Sequence, residues 1–239
     1  MQQAVRSTPA PRKKSKSPSL APKKQPAQQR ATETYERILA VTAETLADVG
    51  IERLSTNLVC ERAGLTPPAL YRYFPNKYAL LSELGQRLMQ RQNERVDNWI
   101  TIDVFSGGVG ALERALEGLI LDTYAATSET VGGVWIMRAL RAVPALQQVR
   151  LASHAAVTRE QARLLAKALP QANKAELELV SRVVVELIYA TVEMIFDEPL
   201  DVKAVAHMVA CMVASHMARI NPERDSGRSR PPRMSVRGK

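Results

Sequence analysis

The stretch Thr66-Pro67-Pro68-Ala69-Leu70-Tyr71-Arg72-Tyr73-Phe74 gathers two phenols and a guanidinium at three consecutive positions. Arginine donates to phosphate oxygens or to the major-groove edge of guanine, and tyrosine hydroxyls suit phosphates. Pro67, Pro68 and Ala69 are small and apolar, a match for thymine methyls. Lys77 follows as a further phosphate partner, and Ser55, Thr56 and Asn57 add short polar groups upstream. This is the chemistry of double-stranded DNA recognition. Catalysis has little to work with. The only histidines are His154, His207 and His216, and the chain has no nucleophile elbow, no glycine-rich phosphate loop and no carboxylate pair beside a histidine. We therefore expect no enzyme. His207 and Cys211 stand four apart, a metal-compatible spacing. Their apolar neighbours and the lack of a nearby carboxylate in sequence make them a packing pair, so neither a metal nor another cofactor is expected.

These residues need two short helices to present them. Ser55 can cap a helix over 56–63, with Val59 and Ala63 facing inward. Gly64 permits a left-handed stop and a tight turn, and Leu65 fills the gap. Thr66 then caps a helix over 67–74, with Pro67 at a first position that needs no amide. Leu70 and Phe74 anchor this helix. Thr66, Pro67, Pro68, Ala69, Tyr71, Arg72 and Tyr73 are left for its outer face. Two helices joined by a short glycine-containing turn form a helix-turn-helix. An amphipathic helix over 31–49, stopped at Gly50, precedes them, and a long helix over 76–99 follows.

The stretches R-I-L-A (37–40), Gly50, E-R-A-G-L-T (61–66), L-Y-R-Y-F (70–74) and N-K-Y-A-L (76–80) resemble the TetR/AcrR family of bacterial transcriptional repressors. The resemblance covers about a fifth of the chain. It implies a three-helix DNA-binding head on a helical ligand-binding and dimerisation body. It also implies that Thr56, Tyr71, Tyr73 and Lys77 contact phosphates, and that Pro67, Pro68 and Arg72 touch or flank bases. Asn57 and Leu58 stand where the family usually has charged or polar residues. Pro68 stands where it commonly keeps a small residue with a free amide.

The whole chain reads as all-α. Of its 239 residues 46% are hydrophobic and only 5% aromatic, a balance that favours packed helices over a sandwich of sheets. Further helices are expected at 109–127, 133–141, 144–169, 173–196 and 201–220, about nine in all. Charge is uneven. Residues 1–30 hold eight basic side chains and no acidic one, and 221–239 hold six basic against two acidic. The tails thus carry +12 of a net +9, leaving −3 on residues 31–220. The expected division is a disordered basic tail over 1–29, a helix-turn-helix domain over 30–80, a helical ligand-binding and dimerisation domain over 81–220, and a second disordered basic tail over 221–239. The first tail is broken by five prolines and has no apolar core of a signal peptide. The longest charge-free apolar stretch, 204–218, is too short to span a bilayer. A cytoplasmic protein is expected.

In the body, the apolar stripe Leu177, Val180, Val184, Leu187, Ile188, Thr191, Ile195 and the run Val202, Val205, Met208, Val209, Met212, Val213 suggest a homodimer through the last two helices. Pocket candidates are polar or aromatic residues within apolar helices: Trp99, Tyr124, Trp135, Arg138, His154, Tyr189 and Glu193. The function expected is a sequence-specific repressor, released from a palindromic operator by a small-molecule effector. The alternative is an architectural protein coating DNA non-specifically through its tails.

Overall fold

The computed structural model describes residues 17–23 and 29–220. The rest of both basic tails, and what was expected of them, lies outside the described residues. Among those described, the chain is all-α with ten helices: α1 Gln29–Arg53, α2 Thr56–Ala63, α3 Pro67–Tyr71, α4 Lys77–Trp99, α5 Ile102–Ser106, α6 Val109–Ser128, α7 Gly133–Ala142, α8 Gln147–Ala168, α9 Lys174–Asp197 and α10 Val202–Ile220. A single 3₁₀ turn, Pro144–Leu146, leads into α8. No helix among them is long and apolar enough to cross a membrane.

Helices α1 to α3 form the head. The buried face of α1 carries Tyr35, Ile38, Leu39, Ala43 and Leu46 at the spacing of one helical face. Each such side chain contributes about 1.5–3 kcal/mol on full burial. At Gly50 the backbone turns to φ 73°, ψ 179° before a last turn over 51–53, a conformation that favours glycine. Helix α4 ties head to body. Its N-cap Asn76 accepts from the amides of Tyr78 (2.9 Å) and Ala79 (3.0 Å). Its length then passes α1, α6, α7 and α8.

The head meets the body again at α7. Gly132 (φ 67°) lies so close to α1 that a Cβ there would stand 2.7 Å from the Ala43 carbonyl oxygen. Only glycine fits this approach.

Four expectations change. Helix α3 is three residues shorter than the expected 67–74, ending at Tyr71, after which Tyr73 N–H turns back to Leu70 O at 2.9 Å. Helix α5 lies between the helices expected over 76–99 and 109–127, where none was expected; five residues are too few to show a period. Residues 17–23, read from composition as disordered, run against the head: Lys23 N–H donates to Tyr73 O (2.7 Å), Asn76 Nδ2 donates to Ser19 O (3.0 Å), and Leu20 is half-buried against the core. Finally, most of the α9 stripe assigned to a partner packs inside the protomer, with Leu177, Val180, Ile188, Thr191 and Ile195 all buried. A second, outward row on α9 is Leu179, Val183, Leu187 and Met194, and α10 adds Met208 and Met212.

Candidate nucleic-acid interface

The helix-turn-helix is built by capping. Ser55 Oγ accepts from Leu58 N–H at 3.2 Å, meeting one of the amides a helix start leaves unpaired. Gly64 closes α2 in the left-handed region (φ 62°, ψ 37°), and Leu65 N–H reaches Cys60 O at 2.9 Å. Arg62 pairs with Asp48 at 2.6 Å and fastens α2 to α1. Thr66 occupies the N-cap of α3, but its hydroxyl makes no capping bond; its carbonyl takes the Ala69 amide at 3.0 Å. The side chain is thus left free for another partner.

Of the expected contact residues, Ser55, Asn57, Thr66, Pro67, Pro68, Tyr71 and Arg72 are exposed, and Thr56, Ala69 and Lys77 are half-buried. Tyr73 is a correction. It is 5% exposed and meets Tyr35 edge to face, ring centroids 6.0 Å apart. Since α3 ends at Tyr71, Tyr73 no longer follows the helical period and turns into the core.

The exposed groups are organised. Tyr71 OH and Thr56 Oγ1 are 2.9 Å apart, so α2 and α3 present their hydroxyls together. One hydrogen serves this bond, and the other is left for a phosphate oxygen. Lys77 Nζ donates to Leu54 O at 3.2 Å. That holds its charge at the α1–α2 junction and leaves two donors over. Arg72 has no ion-pair partner among the described residues.

The body holds a narrow cavity between α4, α6, α8, α9 and α10, lined by apolar residues such as Val96, Leu116, Val157, Val185, Ile188 and Val213. Only about 50 Å³ of it is wide enough for the centre of a water molecule. Of the expected pocket residues, Tyr189 lines it. The others do not. Trp99 Nε1 donates to Asp122 Oδ2 at 2.7 Å, and Tyr124 stacks on Phe196 at 4.5 Å. Trp135 packs beside Gly50 at the head–body joint, with the Arg138 guanidinium 5.2 Å from its ring. Arg138 also pairs with Asp197, and Glu193 with Arg141. Periodicity marks such side chains as inward or outward, but it does not say which neighbour they meet. Most of the lining is Val, Leu and Ile, which in sequence look like any core.

His154 sits one layer from the cavity. It is 1% exposed, stacks on Tyr189 at 4.1 Å, and its Nδ1 lies 2.9 Å from Glu186 Oε1. Glu186 is also paired with Arg150 and Arg182. Burial pushes the imidazole below its ordinary pKa; Glu186 opposes this, while Arg150 and Arg182 add to it. The unfolded chain, titrating near about 6.5, therefore binds the proton more readily than the fold. Stability falls as pH drops through that range. The melting temperature is expected to decline more steeply from about pH 7.5 to about 5.5 in the wild type than in His154→Gln. Parallel curves would remove His154 as the cause. His207 does meet a carboxylate, contributed by α6: Nδ1 lies 3.0 Å from Glu117 Oε2 and Nε2 lies 3.6 Å from Cys211 Sγ.

Residues 38–84 match the family model of the bacterial regulatory proteins, tetR family. The chain is 43% identical over 54 residues to the tetracycline repressor protein class C of Escherichia coli, covering 23% of this chain and 25% of that protein. It is 35% identical over 105 residues to the HTH-type transcriptional repressor KstR of Mycolicibacterium smegmatis, covering 40% and 49%. The chain thus spans only a quarter to a half of the length of these curated relatives. A tetR-family transcriptional regulator from Streptomyces coelicolor shares the fold, with a TM-score of 0.61 at 19% identity over 81% of this chain and 86% of that one. Residues 38–84 thus carry the head of the tetR family of bacterial regulatory proteins, and the all-α body behind it shares the fold of a tetR-family regulator.

Proposed function

We propose that the protein is a dimeric transcriptional repressor that binds a palindromic operator and leaves it when a small molecule enters the body. The observation that carries this reading is the two-sidedness of α3. Leu70 and Phe74 are fully buried, while Pro67, Pro68, Tyr71 and Arg72 face solvent beside Thr56 and Lys77. A short, proline-started helix that exposes a phenol and an unpaired guanidinium is shaped to enter a major groove. One such reader per chain, with an outward apolar row on α9 and α10, supports a two-fold dimer on inverted half-sites.

Release works through α4. Its first residue, Lys77, belongs to the DNA surface, and Val96 near its far end lines the cavity. The cavity is too narrow for a ligand to enter without parting its walls, so a ligand there shifts α4 and with it the head. By linkage, the operator weakens ligand binding by the factor by which ligand weakens operator binding.

The test is substitution in the reader. Tyr71→Ala and Lys77→Ala are expected to weaken binding to operator and unrelated DNA alike, because phosphate contacts carry no base information. Arg72→Ala is expected to cost about 1–3 kcal/mol and to relax selectivity at one base pair. Full operator affinity in all three variants, titrated at fixed salt, would move the interface away from α3.

A further inference from the structure

We propose that the body cavity takes an uncharged, slender, apolar molecule bearing a single hydrogen-bonding group, and that Gln161 and Ser181 hold that group. The ligand-released reading supplies the consequence at the operator, but binding itself stands on the cavity alone. No Asp, Glu, Lys, Arg or His lines the space; its polar side chains are Thr123, Gln161, Ser181 and Tyr189. Ser181 is 2% exposed and its Oγ is buried without a hydrogen-bond partner. Gln161 is 9% exposed and lines the same space from α8. With His154 of α8 stacked on Tyr189 of the antiparallel α9, a step of two turns along each helix brings Gln161 level with Ser181. Buried polar groups are normally paired, yet Ser181 Oγ is buried without a partner and Gln161 opens onto the same apolar space.

Tyr189 is the poorer partner, because its hydroxyl hydrogen is already given to Asn93 Oδ1 at 3.0 Å and it is left only to accept. The nearest charges are also committed. Glu186 is shared by Arg150, Arg182 and His154, so no unpaired charge remains to meet an ionic ligand. A carboxylate or ammonium would enter without compensation, which is far costlier than burying a hydroxyl that finds partners. An amide and a hydroxyl each donate and accept, so an alcohol, a ketone or a carboxamide is served equally. The narrow cross-section favours a chain over a bulky body.

The experiment is calorimetric titration of the full chain with 1-decanol, decanoate and decyltrimethylammonium, all of one chain length. 1-Decanol is expected to bind about tenfold or more tightly than either ion. The double variant Gln161→Leu/Ser181→Ala is expected to lose about tenfold for 1-decanol, the worth of two neutral hydrogen bonds, without losing thermal stability. Equal binding of either ion, no binding of 1-decanol, or an unchanged affinity in the double variant would overturn the proposal. The operator is then titrated with 1-decanol present. Binding that leaves operator affinity unchanged supports the site and refutes release by ligand, so the two claims fail separately.

Discussion

Val183→Glu with Met212→Glu is expected to convert the proposed dimer to a monomer at micromolar concentration and to weaken operator binding by about a hundredfold to ten-thousandfold, the range over which a linked second site raises affinity. Val183 is 55% exposed and Met212 56%, and Leu179, Leu187 and Met194 of α9 and Met208 of α10 are exposed as well. Contiguous exposed apolar surface of this kind marks an interaction site. In a two-fold interface each substitution enters twice, so two changes bring four carboxylates together, with no basic residue in the row to meet them. Both residues point away from the protomer core, so the fold itself survives. Sedimentation and operator titration on the same preparation check the two halves. A dimer that persists would place the interface elsewhere.

Phe74→Ala is expected to abolish operator binding through the fold of the head, with a loss of about 3–5 kcal/mol. Phe74 is fully buried and stacks on Tyr35, ring centroids 4.8 Å apart and planes at 30°. It joins the end of the reader to α1. Helix α3 has five residues, far below the length at which a helix stands alone in water. Without that anchor, the groups at Tyr71 and Arg72 have no fixed direction. Tyr71→Ala is the control: it lies at the surface and should leave the melting temperature nearly unchanged. The two variants are expected to separate, one losing stability and affinity, the other affinity alone. A Phe74→Ala protein that melts like wild type would contradict the packing described here.

The head was legible because its signals are local. Ser55, Gly64, Pro67 and the pair Leu70 and Phe74 each act within a turn or two, and all sit where their chemistry requires. Thr66 shows the limit: its N-cap position was readable, but the free hydroxyl was not. Tyr73 was misplaced because a helical period was carried two residues past the helix end. The body was less legible for a different reason. Both faces of α9 are apolar, so periodicity does not tell core from partner surface. Trp135 and Tyr124 read as pocket residues, yet they seal the head–body joint and a helix contact. The cavity itself is made of residues with no chemical signature. Gln161 and Ser181 stood out from it only once α8 and α9 were laid side by side. Residues 17–23 dock partly through the Ser19 carbonyl and Lys23 amide, groups every residue has, so composition was silent about them.

The central claim is that two copies of α3 read inverted half-sites. Selection of bound fragments from random DNA by the full chain, followed by sequencing, tests it most directly. The expected result is one enriched motif consisting of two inverted copies of a short half-site at a fixed spacing, lost when Arg72→Ala replaces the wild type. Enrichment of no sequence, or of a single unrepeated half-site bound equally by the Arg72→Ala protein, would contradict it.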